Sequence, residues 1–483
     1  MGKKITTILR AFSLSFLVLL LIVTSRNTAF ADIPDSYQKI EYPPLPNLEL
    51  PEYDRYQLDN GMVIYLVEDH RLPLVSGRAV IRTGDRFEPA DKVGLAQITG
   101  SLMRAGGTKN NPPAQLNQIL EAKAASIETG INKSSGGVSF SSLSYDLDTV
   151  FPLFVEVLRE PRFDEGMFAL QKTQLQGSIA RRNDNPGNIS NREFSKLIYG
   201  ENSPYARTIE YETLDNIDRE DVINFYQEYI RPDSIILGIV GDFDPQQMKS
   251  LIAQSFGDWK VTKNLPKLDI PIAEQKTPSG LYLVDQPQLT QSNIAMGHLG
   301  GKLNDETYTT LTVINGVLNG FGGRLYNDIR SRQGLAYSVY GLWSAGYDYP
   351  GVFVAGGQTK SETTAQFISS AISEIKRLQN DFITEDELDY AKNSILNSFV
   401  FKFQTPSQTL SRLMTYEYYD YPQDFIFKYQ DAVKKTQVED VKTVAQQELK
   451  PENLVTLVVG NGNVVKPNLQ VLNQEINTID IES

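Results

Sequence analysis

The chain has 483 residues, 41% of them hydrophobic and 22% charged, and its 46 Lys and Arg against 59 Asp and Glu set a formal net charge of −13. That length exceeds one ordinary core and predicts two large halves, while the acidic balance excludes nucleic acid as a partner, because phosphate binding needs a basic footprint. The absence of cysteine excludes disulfides and a lipid-modified cysteine.

In chain order, Lys3, Lys4 and Arg10 precede an apolar run over residues 12–23, and Ala29-Phe30-Ala31 offers a small-x-small cleavage site. This predicts an export signal over residues 1–31. Its apolar run is too short for a bilayer and no other window is long enough, so no stable membrane span is expected after cleavage. Cleavage takes away Lys3, Lys4, Arg10 and Arg26 and no acid, which makes the mature chain more acidic still. A large exported chain without cysteine fits a bacterial periplasm.

The stretch "YQLDNGMVIYLVED" sets alternating apolar runs around Asn60-Gly61, the pattern of a hairpin, and "LVSGRAVIRTG" continues as a strand. A helix follows in "VGLAQITGSLMRAGGTKN", residues 93–110, and Pro112-Pro113 opens the next one. Farther on the chain repeats itself. Val222, Pro232 and Gly241 stand 219 residues before Val441, Pro451 and Gly460, in segments that each read as helix, proline turn, buried strand and glycine stop. Phe163, Lys172 and Pro186 stand 220 residues before Ile383, Lys392 and Pro406. More weakly, Ile98-Thr99-Gly100 aligns with Ile314-Asn315-Gly316.

The expected organisation is a first domain over 50–262, an extended Pro- and Lys-rich linker over 263–277 and a second domain over 278–475. Strands lead, helices follow and a strand returns in each, which predicts an α+β fold of two homologous sandwiches with helices packed on a mostly antiparallel sheet. Thr384 and Glu387 have the spacing of a capping box. Seven aromatics between Tyr416 and Tyr429 suit helical core packing better than a peptide-lining surface.

The duplicated layout, with "GLAQITGSLMRAGGTKN" in the first half and "GGRLYNDIRSRQGLAYSVY" in the second, resembles the pitrilysin/insulinase family of zinc metallopeptidases, which includes the mitochondrial processing peptidase subunits. Active members carry H-x-x-E-H on the first-half helix, where two imidazoles at i and i+4 reach one Zn²⁺ and the Glu activates its water. On this chain the motif falls on Gln97, Gly100 and Ser101. The family's third ligand, a Glu on a later helix, belongs in or near "LQKTQLQGSIARR", and residues 166–183 contain no acid. Only His70 and His298 remain, so a conventional zinc set cannot be assembled, and both histidines read as surface or sheet-face residues. No cofactor is expected in this chain.

The second half keeps the family's other motif, an Arg followed seven residues later by a Tyr, as Arg330 and Tyr337. The resemblance makes them a clamp that donates hydrogen bonds to the scissile carbonyl and substrate backbone. "NGFGGR" is then a tight turn entering the helix of Arg330, since no phosphate-loop Lys-Ser/Thr or G-x-G-x-x-G is present. A bland reading makes Tyr337 a packing residue and Arg330 a helix-end cation. A clamp without zinc implies a zinc-less subunit of a heterodimeric peptidase, whose homologous partner brings HxxEH and the metal to peptide substrates. The alternative is a non-proteolytic pseudoenzyme that binds peptides or serves as a scaffold.

Overall fold

The computed structural model describes residues 50–481 except 262–265 and 267. The signal read over residues 1–31 lies outside the described residues. So does part of the linker, whose residues 268–277 form neither helix nor strand.

Among the described residues, twelve strands build two six-stranded mixed sheets that share one plan. In the first half β1 (Asp54–Gln57) and β2 (Val63–Glu68) form the predicted hairpin, with Gly61 at φ +93 in the turn. They are joined by β3 (Leu74–Ile81), β4 (Ser126–Ile131), β5 (Gly136–Leu143) and β6 (Ile235–Gly241), in the order β1-β2-β6-β3-β5-β4. The second half uses β7 (Gly280–Asp285), β8 (Gln291–Leu299), β9 (Ala336–Ser344), β10 (Val352–Lys360), β11 (Val455–Gly460) and β12 (Ile476–Ile479), in the order β12-β7-β11-β8-β10-β9. The central strands β6 and β11 pair parallel to β2 and β7 and antiparallel to β3 and β8.

The repeat seen in the sequence maps onto equivalent elements. Helix Glu165–Ala180 corresponds to Glu385–Phe399, Pro186–Tyr199 to Pro406–Tyr418, and Arg219–Tyr229 to Val438–Glu448. The matched lysines even do the same work: Lys172 Nζ donates to the Ile217 carbonyl at 3.0 Å and Lys392 Nζ to the Lys434 carbonyl at 3.1 Å. Pro186 and Pro406 each occupy the first helical turn, where the missing N–H costs nothing, behind the side-chain caps Asn185 and Thr405. The capping box at Thr384 is made in both directions.

Two features depart from simple duplication. The outermost strands differ in origin, since β1 precedes β2 and runs antiparallel to it, whereas β12 comes from the C-terminal end and runs parallel to β7. The second is an exchange of helices. On one face each sheet packs against helices of its own half, around Ile98, Leu102 and Phe154 in the first half and Ile314, Phe367 and Ile375 in the second. The opposite face of β2 and β6 is covered by the second half's Pro406–Tyr418 helix, through Leu410, Leu413, Met414 and Tyr418. Reciprocally, Ile189, Phe194 and Ile198 of the first half's Pro186–Tyr199 helix cover Val455, Leu457 and Val459 of β11.

This exchange explains why β6 and β11 are buried along their entire length and read as unbroken apolar runs: both faces are dry. Close approach is built in, because a Cβ on Gly238 would meet Met414 Sδ at 2.4 Å. Arg86 then ties the halves together, donating to both carboxylate oxygens of Asp348 at 3.0 and 2.7 Å. The aromatic run follows the core reading: Tyr416, Tyr418, Tyr421 and Tyr429 are buried, and Tyr421 donates to the Tyr347 carbonyl at 2.8 Å.

Candidate functional site

The helix of "VGLAQITGSLMRAGG" spans Leu95–Ala105 and lies along β4. Gly94, at φ +110, precedes it, and the Glu88 carboxylate accepts from the backbone N–H groups of Gly94 at 3.0 Å and Ala96 at 2.8 Å. Glu88 thereby caps two free donors of the first turn. Burial pushes its pKa up to about 7 against the pull of those two bonds.

Gln97 is exposed, Ser101 is half-buried and Gly100 is buried. A Cβ on Gly100 would stand 2.4 Å from the Ile131 amide nitrogen and 2.8 Å from the Gly130 carbonyl carbon, so the helix has settled onto β4 at the place where the family's base would project. The residues present do not fit a zinc ion. An amide, a hydroxyl and a glycine replace two imidazoles and a carboxylate. Among the described residues no three His, Asp or Glu groups stand together as a metal set.

Neither histidine is placed to change this. His298, in β8, is 2% exposed and lies beside Trp343 and Phe353. Its Nε2 accepts from the Lys450 N–H at 3.1 Å while Nδ1 donates to the Leu299 carbonyl at 2.7 Å, and burial lowers its pKa. It is a satisfied, neutral core residue. His70 is exposed beyond the end of β2, with Nδ1 2.6 Å from Asp242 and Nε2 2.5 Å from Glu68, and these two carboxylates raise its pKa.

The second-half site is assembled by a chain of fixed contacts. Gly320, at φ +79, turns the chain after helix Tyr308–Leu318, and the Gly322 N–H donates to Tyr390 Oη at 3.1 Å. A Cβ on Gly322 would lie 2.7 Å from the Tyr390 ring, so only glycine lets this turn seat there. Arg324 then forms a two-pronged pair with Glu387, at 2.6 and 2.9 Å, locking the turn to helix Glu385–Phe399. Residues Tyr326–Arg332 continue as a π-helical turn, a wider winding that recurs at functional sites, stopped by Gly334 at φ +64.

The chain next enters β9, the outer strand of its sheet. Here the pairing with β10 slips: Val339 faces Gly357 and Ala336 faces Thr359, so Tyr337 and Ser338 together oppose Gln358. Such a bulge twists the strand and re-aims the side chain. Tyr337 is 82% exposed, which removes the packing reading.

Arg330 and Tyr337 are brought together: the Arg330 guanidinium carbon lies 4.8 Å from the Tyr337 ring centroid and 4.8 Å from that of Tyr326. Among the described residues no carboxylate pairs with Arg330, although its neighbours Arg324 and Arg332 are paired with Glu387 and Asp328. Two rings hold the cation by cation–π attraction and leave its N–H groups for a ligand. Sequence reasoning missed Tyr326 and also Phe321, which is 80% exposed and meets the Tyr326 ring edge-on at 5.1 Å. The i, i+4 spacing of Tyr326 and Arg330 was the available signal.

Comparison with known proteins gives the family and the fold. Residues 63–211 match the family described as Insulinase (Peptidase family M16), and residues 216–395 match the Peptidase M16 inactive domain. A Bacillus subtilis protein named uncharacterized zinc protease YmxG is 23% identical over 360 residues, covering 74% of this chain and 86% of the relative. A Helicobacter pylori protein named non-peptidase homolog YmxG is 22% identical over 410 residues, covering 83% of this chain and 91% of its own. The crystal structure of a peptidase M16 inactive domain from Pseudomonas fluorescens superposes with a TM-score of 0.75 at 22% identity, over 85% of this chain and 98% of that one.

Proposed function

This chain belongs to the M16 (insulinase) peptidase family, and we propose that it is the zinc-less subunit of a two-chain metallopeptidase, binding peptide for a homologous partner that carries HxxEH. The observation that carries this reading is the contrast between Gly100, packed against β4 where a catalytic Glu would be needed, and Arg330, which has no carboxylate partner among the described residues and lies beside the exposed Tyr337. Zinc does not fit this chain's own residues, so its place is in the partner.

In that assembly Arg330 supplies a charged planar donor and Tyr337 a neutral one, both aimed at a peptide carbonyl on which negative charge develops. Loss of one such donor costs about 2.7–4 kcal/mol of barrier in well-studied hydrolases. The export signal expected over residues 1–31 supports a periplasmic location for the pair.

The rival reading is a peptide-binding pseudoenzyme, and the name of the Helicobacter pylori relative favours it. Co-purification separates the two. The mature chain, isolated from its native periplasm, is expected to elute with a zinc-bearing homologue in equal amount and with peptidase activity that neither chain shows alone. A metal-free, inactive protein without such a partner overturns the subunit reading in favour of the pseudoenzyme.

A further inference from the structure

We infer that the surface formed by Phe321, Tyr326, Arg330 and Tyr337 is a receptor for a peptide carboxylate flanked by an aromatic or large apolar side chain. This deepens the clamp reading and rests on it, because the group held there is the ligand's, not the protein's.

Charge comes first. The chain carries an excess of acids, and Arg324 and Arg332 on the same segment each have a carboxylate within ion-pair reach. Arg330 alone of the three is left with ring contacts. Ring contacts take up none of the five guanidinium N–H donors, so these are what Arg330 presents to a ligand. A carboxylate meets those donors with two parallel charge-assisted bonds, whereas a neutral carbonyl meets them with one.

Shape comes second. Phe321, 80% exposed, stands edge-on to Tyr326, whose ring centroid in turn lies 4.8 Å from the Arg330 guanidinium carbon. The Gly322 hydrogen bond to Tyr390, with no room for a Cβ on Gly320 or Gly322 against that side chain, holds the Phe321 backbone in place, so this exposed ring is presented on a fixed turn. An apolar side chain next to the carboxylate finds there an exposed aromatic surface to cover. If the clamp holds the scissile carbonyl, hydrolysis converts that carbonyl into an α-carboxylate. The receptor then favours the newly formed C-terminal end of a product, with an aromatic or apolar residue at that end.

The isolated mature chain tests this by calorimetric titration with three alanine-rich hexapeptides. One ends in Phe as the free acid, the second is its C-terminal amide, and the third is that amide with Glu beside the Phe. Binding of the free acid about ten-fold or more tighter than both amides assigns the α-carboxylate as ligand, ten-fold being one strong hydrogen bond's worth of discrimination. Equal tightness of the free acid and the Glu peptide assigns any carboxylate next to Phe, still through Arg330. Equal binding of all three overturns the proposal.

Arg330→Gln keeps the stem and removes the charge, and it must erase the acid-over-amide preference while leaving the unfolding temperature in place; a preference that survives it also overturns the proposal. Phe321→Ala must weaken the Phe-ended acid several-fold more than a Gly-ended one. Turnover by the two-chain enzyme depends on Arg330 under the clamp reading whether or not a carboxylate is preferred, so the two readings fail separately.

Discussion

The Leu95–Ala105 helix of the first half and the turn-to-strand segment 319–344 of the second are both held rigidly, but for opposite ends. In the first, Glu88 caps the start and Gly100 removes every atom between helix and strand, so packing occupies the space that chemistry would need. In the second, Tyr390, Glu387 and the bulge in β9 fix the backbone so that Tyr337 and Phe321 face solvent beside a half-buried Arg330. Rigidity alone therefore does not mark a site. What marks it is a polar or aromatic group held rigidly with its bonding capacity unspent.

The comparison can be broken or sharpened by substitution. The largest effects belong to the exchanged helices on which both halves depend. Leu413→Ala and Ile198→Ala each remove a side chain buried in the opposite half's sheet and are expected to cost about 2–5 kcal/mol, read by denaturant unfolding. Two separate unfolding transitions in the parent protein would show that the exchange does not couple the halves. Gly100→Ala comes next, at about 1–3 kcal/mol of overpacking, because its Cβ has no room against Ile131. Gln97→Ala, on the exposed face one turn earlier, should be neutral to within about 0.5 kcal/mol.

Turnover discriminates the two regions directly. In the proposed two-chain enzyme Arg330→Ala or Tyr337→Phe should lower activity about ten-fold or more, roughly 1.4 kcal/mol or above, and Gln97→Ala should leave it unchanged. Unchanged turnover in the first two would return both residues to mere surface.

Two smaller effects are read from pH. Glu88 has a folded pKa raised to about 7, so the folded state holds its proton more tightly than the unfolded chain does. Stability is complete below the ordinary carboxylate range and declines as pH climbs toward 7, and Glu88→Gln should remove that decline from a series of thermal melts. His70 also has its pKa raised, by Asp242 first and Glu68 second. Its contribution is present below pH 6.5 and is lost as pH rises through the higher folded value. Being fully exposed, it should give the weakest signal of the set, and His70→Gln should flatten the melts only above about pH 6.5.

By itself the sequence determined whatever depends on neighbours along the chain. The Asn60-Gly61 hairpin, the capping box at Thr384 and the proline starts at Pro186 and Pro406 follow from backbone preferences. The spacing of matched residues exposed the duplication, and the blank at Gln97, Gly100 and Ser101 was legible because a metal set has a fixed helical spacing. Arg330 and Tyr337 were found the same way, through a spacing of seven residues.

Only the tertiary structure decided the rest, because burial and contact between distant segments are sums over the whole fold. Nothing local says that Leu413 covers the sheet of the other half, or that β12, from the far end of the chain, completes the second sheet. Gly100 reads in sequence as a missing base; in three dimensions it is a contact with β4. Tyr326 and Phe321 acquire meaning only when a π-helical turn and a strand bulge bring the rings of Tyr326 and Tyr337 to one cation, with Phe321 edge-on to Tyr326, and neither irregularity has a residue pattern of its own.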